Sequence, residues 1–245
     1  MNPNRVIEKP SRIPDLVAVR YSEDRWRLLD ELRVKALRIL DTLRSFSCEG
    51  FIHGSIARGD VDQYSDIDVI VLKPVPSQTL ELHLSLNGFK IYSRRITQAT
   101  PGHTPKGHIY LDAYEKISVT FPLITFRPLE VEFYKFGGMA DVTALERSLR
   151  VPGCTKRLTL IEPTIYGHLE SNILGREGEV ARRLDVDPEI VRERVRVLMR
   201  RDRVGRTGIF LKVDLGENES FERVFNRLIK GNPALRRTYL NRMRS

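Results

Sequence analysis

Asp66 and Asp68 bracket Ile67 at the head of an apolar run, Ile67-Asp68-Val69-Ile70-Val71-Leu72. In an extended strand, residues i and i+2 point to one face, roughly 7 Å apart along the chain. Two carboxylates so placed can share a divalent cation or hold a pair of them. Leaving such charges beside a core strand is costly unless a metal neutralises them. Alone, Asp-x-Asp is a common strand-end spacing. Upstream, Gly54 and Ser55 follow a short apolar stretch, Phe51-Ile52-His53, and open a segment that runs to Asp60. A Gly-Ser turn between a strand and a helix start offers backbone N–H groups and a hydroxyl to a phosphate. Arg58, about one helical turn further on, would add a cation.

The surrounding elements must hold these groups in place. Ser22 reads as an N-cap, with Glu23 and Asp24 in the first turn where carboxylates suit the helix dipole. Trp26, Leu29, Leu32, Ala36, Leu40 and Leu43 then recur at three- and four-residue spacing and give this helix one buried face. Ile67 to Leu72 reads as a strand buried on both faces. Ser77 to Leu86 reads as a helix, and Ile109–Asp112 with Ile117–Phe121 as a hairpin. Leu129-Glu130-Val131-Glu132-Phe133-Tyr134 alternates strictly and predicts a strand with Glu130 and Glu132 on one face. Strands interleaved with helices make this first part α/β or α+β, a mixed sheet flanked by helices.

His53-Gly54-Ser55, ten intervening residues, and Asp66-Ile67-Asp68 in an apolar strand together resemble the signature of the polymerase-β-like nucleotidyltransferase superfamily. The likeness is greatest to its minimal nucleotidyltransferase branch. The domain would cover residues 22–150, with the diagnostic motifs confined to 53–72. The resemblance implies that Gly54 and Ser55, with Arg58, bind the triphosphate of a nucleoside triphosphate. It implies that Asp66 and Asp68 ligate one or two Mg²⁺ ions for an in-line displacement at the α-phosphate. It also implies a third carboxylate on a later strand. Glu132 is the first choice, as catalytic residue and metal ligand, with Glu130 and Asp112 as alternatives. His53 reads as a packed side chain. His103, Lys106 and His108 fall in a stretch full of turn residues and read as a surface loop.

From about Glu162 the character changes. Glu179–Leu184, a turn at Asp185-Val186-Asp187, and Pro188–Arg201 read as helix–turn–helix, with Asp187 as N-cap and Pro188 at the first helical position. Val204 to Val213 reads as a turn feeding a strand, and Ser220 to Ile229 as a last helix. The whole, residues 163–245, resembles a winged helix–turn–helix domain. That resemblance implies DNA or RNA contacts through Arg192, Arg196, Arg203 and Arg206.

Charge agrees with that division. Of a net charge of +9, most lies from residue 151 onward, where 20 Lys/Arg face 13 Asp/Glu. A basic excess there points to a polyanionic partner. No apolar run is long enough for a membrane helix, and MNPNRVIEKP lacks a signal-peptide stretch. Cys48 and Cys154 stand far apart and read as reduced thiols of a cytoplasmic protein. Two functions are compatible with these features. One is Mg²⁺-dependent transfer of a nucleotidyl group to a hydroxyl of nucleic acid, protein or a small molecule. The other is a DNA-binding regulator whose nucleotidyltransferase domain senses nucleotide with little or no turnover.

Overall fold

The computed structural model describes residues 16–205 and 208–243. In chain order the elements are β1 (Val17–Arg20), α1 (Glu23–Ser45), β2 (Gly50–His53), α2 (Ser55–Arg58), β3 (Ile67–Val71), α3 (Ser77–Leu86), β4 (Ser93–Gln98), β5 (Lys106–Tyr110), β6 (Ile117–Pro122), α4 (Pro128–Phe136), β7 (Met139–Ala140), α5 (Val142–Glu146), β8 (Gly153–Cys154), β9 (Thr159–Thr164), β10 (Gly167–Asn172), α6 (Glu177–Leu184), α7 (Pro188–Val204), β11 (Leu211–Asp214), α8 (Phe221–Gly231) and α9 (Pro233–Met243). The mixed α/β class expected from the sequence is the one observed.

The main sheet has the order β11-β4-β5-β6-β3-β2-β7. Only β3 and β6 pair in parallel; every other neighbour is antiparallel. The pleat separates two faces. Ile67, Val69, Val119, Phe121, Ile96 and Ile109 point into a core shared with α1, α3 and α8. Asp68 and Ile70 point the other way, where Phe126 and Tyr134 pack on Ile70. A smaller antiparallel sheet, β1-β10-β9-β8, had no counterpart in the sequence reading. α1 begins as expected: Ser22 Oγ accepts from Arg25 N at 3.3 Å.

One expectation fails. Leu129 to Tyr134 is not a strand but most of α4. Pro128 sits at the helix start, and the Glu130 carboxylate accepts from Arg127 N at 2.9 Å, satisfying a first-turn donor. These signals outweigh the two-residue alternation.

A winged-helix unit over residues 163–245 is not shown. α6 and α7 do follow each other with Asp187 as N-cap. The strand expected as a wing, however, is β11, which pairs with β4 as the edge of the main sheet. α8 docks onto that sheet through Phe221, whose ring meets Phe121 edge-on at 5.0 Å between centroids. Glu222 reaches back to α3, accepting from Ser77 N and Ser77 Oγ, each at 2.8 Å. The approach is close enough to require glycine at 107: a Cβ there would lie 2.5 Å from Phe121 and 2.9 Å from Phe221. Residues 211–243 thus join the core of the main sheet, while Cys154 to Leu198 build a second buried cluster with Phe136 of α4.

Candidate functional site

The Gly54-Ser55 turn joins β2 to α2. Gly54 has φ 86° and ψ −141°, a region closed to side-chain-bearing residues. A Cβ there would meet nothing within 4 Å, so conformation alone demands the glycine and the space above it is open. Gly54 N donates to Gly138 O at 2.9 Å. From α1, the buried Arg33 donates to Ile56 O and Ala57 O at 3.1–3.2 Å and holds α2 from beneath. Burial lowers that guanidinium to about 10.

Ser55 Oγ donates to Ser65 Oγ at 3.2 Å, tying this turn to the loop that delivers the aspartates. That loop is closed by Asp62, whose carboxylate accepts from Tyr64 N at 2.8 Å. Asp66 is the last residue before β3 and is half-buried; Asp68, the second residue of β3, is exposed. Across the sheet Asp68 stands between His53 on β2 and Ser118 on β6. Ser118 Oγ donates to Asp68 Oδ1 at 3.0 Å. Gly54, Ser55, Asp66 and Asp68 thus lie on adjoining elements, joined by hydrogen bonds or strand pairing.

The other expected site residues are placed differently. Arg58 is not turned toward a ligand. It is 6 % exposed, forks onto Asp60 at 2.8 and 2.9 Å, and donates to Gly137 O. Its role is to lock α2 to the end of α4. Glu132 accepts from Asp187 N at 3.0 Å and pairs with Lys135 at 3.1 Å, so it joins α4 to α7 rather than facing Asp68. Glu130 caps the α4 start and accepts from Thr104 N and Oγ1 at 2.7 and 2.6 Å. Asp112 closes the β5–β6 turn through Lys116 N and Ile117 N. None of the three supplies a third carboxylate beside Asp66 and Asp68. The β6 neighbour of Asp68 is Ser118, which the sequence reading missed. The alternation Ile117-Ser118-Val119-Thr120-Phe121 carried the signal, since it sets Ser118 and Thr120 on the polar face.

His53 is packed, as expected. Its Nδ1–H donates to Tyr134 O at 3.2 Å, and its ring lies between Phe133 and Tyr134. Burial first, and the Arg58 charge next, lower it to about 3 and keep it neutral. His108 is not in a loop but central in β5, its two nitrogens within 2.9 Å of Thr97 and Thr120 hydroxyls. Burial lowers it likewise to about 3. Lys106 opens β5 and donates to the Tyr134 hydroxyl at 3.3 Å. Arg192, Arg196 and Arg203 are exposed on α7. Their spacings of four and seven set them on one side of the helix, away from any wing. Arg206 lies outside the described residues.

Hard divalent cations take oxygen ligands, and Mg²⁺ in particular uses one or two carboxylates plus substrate phosphates. Among the described residues no group of three or more His, Cys, Asp or Glu side chains could hold a metal unaided. Asp66 and Asp68 offer carboxylate oxygens of the kind such a cation takes.

Residues 34–121 match the nucleotidyltransferase domain family. The matched segment runs from within α1 to β6 and contains the Gly54-Ser55 turn, both aspartates and Ser118. It covers about a third of the chain. No relative was found among curated proteins. Solved structures similar to the chain include Cid1, described for its RNA terminal uridylyl transferase activity, at 17% identity and TM-score 0.31. They also include the GLD-2/RNP-8 complex at 18% and 0.28, and the GLD-2–GLD-3 non-canonical poly(A) polymerase complex at 16% and 0.28. The alignments cover 47%, 48% and 48% of this chain, and 34%, 46% and 39% of those chains. The chain thus spans less than half the length of each. No helix among the described residues is long and apolar enough to cross a membrane.

Proposed function

We propose that the chain binds a nucleoside triphosphate with its divalent metal at Gly54-Ser55 and Asp66/Asp68, and transfers the nucleotidyl group to a hydroxyl acceptor. The observation that carries this reading is the juxtaposition of the two motifs. The Ser55–Ser65 hydrogen bond brings an open glycine turn beside two solvent-accessible carboxylates, inside the segment that matches the nucleotidyltransferase family.

In this reading the Gly54-Ser55 backbone and the Ser55 hydroxyl receive the phosphates, and Asp66 and Asp68 supply the oxygens for Mg²⁺. The ion, when bound, neutralises phosphate charge and polarises the α-phosphorus. The acceptor oxygen bonds to the α-phosphorus as the bond to the bridging oxygen breaks, and pyrophosphate leaves. Among the described residues Ser118, not a carboxylate, is the β6 partner of Asp68, and the acceptor proton passes to solvent. His53 lines the site as a neutral, immobile wall.

That same serine favours a second reading, in which the site binds metal–nucleotide as a sensor and does not transfer it. Incubation with Mg²⁺, an α-³²P-labelled triphosphate and candidate RNA, protein or small-molecule acceptors separates the two. Transfer predicts label on an acceptor that disappears with Asp66→Asn or Asp68→Asn. Nucleotide binding without label on any acceptor would sink transfer and leave the sensor.

A further inference from the structure

Arg194 stands apart from the other arginines of α7. It is half-buried against α4, with its guanidinium 5.0 Å from the Phe133 ring centre. Its Nε is buried with no hydrogen-bond partner, and no ion pair holds it among the described residues. A polar atom buried without a hydrogen-bond partner is uncommon in folded proteins. Arg201, two turns further along the same side of α7, adds a second positive charge, not a counter-charge. Burial, reinforced by Arg201, lowers Arg194 to about 10; the adjacent Glu193 acts in the opposite direction without bonding to it.

We propose that Arg194, with Arg201, is a seat for a phosphate group, carried by a polynucleotide backbone or by a free phosphate ion. A guanidinium offers paired N–H donors that match two phosphate oxygens, and a partly desolvated one binds more strongly than one in water. Phe133 packs against the guanidinium. Arg192, Arg196 and Arg203 on the opposite side of α7 extend the positive field along the helix. The same Phe133 ring lies 5.7 Å from His53, the strand partner of Asp68, so the seat adjoins the candidate site across one aromatic ring. The seat does not depend on nucleotidyl transfer, because its test reads binding alone.

The experiment is thermal unfolding of the full chain in increasing inorganic phosphate, and separately with a ten-nucleotide single strand, at constant ionic strength. Ligands that bind only the folded state raise the melting temperature. The wild type rises with phosphate, and Arg194→Met loses most of that rise. Arg237→Met, which removes an exposed arginine of α9, keeps it. Without added anion, Arg194→Met melts somewhat below the wild type, since it loses the contact with Phe133. A rise at micromolar oligonucleotide and only millimolar phosphate identifies the backbone as the source; equal rises per phosphate identify the free ion. An unchanged phosphate response in Arg194→Met, or in Arg201→Met where the first variant does not fold, overturns the proposal.

Discussion

Ser118 donates a 3.0 Å hydrogen bond to Asp68 from β6, the strand that pairs with β3 in parallel. Where the family resemblance leads one to expect a third acid near the aspartates, the chain holds a hydroxyl. It can orient the Asp68 carboxylate but cannot carry negative charge or accept a proton at neutral pH.

Ser118→Ala leaves the fold intact and changes stability by less than about 1 kcal/mol, because Asp68 is exposed and water replaces the lost donor. Ser118→Asp sets a third carboxylate against Asp68. It lowers stability without metal through like-charge repulsion, and Mg²⁺ restores it. Melting curves with and without Mg²⁺ check both. A Ser118→Asp protein indifferent to Mg²⁺ would show that this position does not face the metal.

Arg58 and Asp60 form a buried pair, with side chains 7% and 12% exposed. Arg58→Ala leaves Asp60 and the Gly137 carbonyl without their partner and costs about 3 kcal/mol or more in urea unfolding. Arg58→Lys recovers little, because a single ammonium cannot reproduce the fork. Were Arg58 a phosphate ligand, its loss would instead weaken nucleotide binding and leave the urea midpoint in place.

The aspartates and the glycine turn were legible because their chemistry lies in residue type and short spacing. α1 was legible through its periodicity and its Ser22 cap. Glu132 was misassigned because Leu129 to Tyr134 alternates like a strand, and only Pro128 and the Glu130 cap betray a helix. Ser118 was invisible as a site residue because it lies 50 positions from Asp68 and meets it through strand pairing. The pairing of β11 was hidden for a related reason: nothing in Leu211 to Asp214 announces that its partner is β4.

That integration has a consequence. Deleting residues 211–243 removes an edge strand of the main sheet, Phe221 from the core and the Glu222 cap of α3. The remaining chain is expected to lose cooperative unfolding and near-ultraviolet circular dichroism. An independent C-terminal module would leave a folded fragment with a sharp transition.

His53 and His108 titrate near 6.5 when unfolded and near 3 in the folded protein. Between those values the unfolded chain binds more protons. Their contribution to stability is therefore complete above about pH 6.5 and lost as pH falls toward 3, at up to about 1.4 kcal/mol per pH unit for each ring. Urea unfolding from pH 7 to 4.5 follows it. His108→Asn flattens the slope by one proton; an identical slope in that variant would show that the ring protonates freely in the fold.

The central claim, a metal–nucleotide seat at Asp66 and Asp68, is tested most directly by calorimetric titration of a non-hydrolysable triphosphate with and without Mg²⁺. Wild-type protein is predicted to bind at least about tenfold more tightly with Mg²⁺, a difference of about 1.4 kcal/mol. Asp66→Asn and Asp68→Asn are each predicted to abolish that difference while melting as the wild type does. Equal affinity with and without the metal, or a Mg²⁺ dependence untouched in both variants, would contradict the assignment.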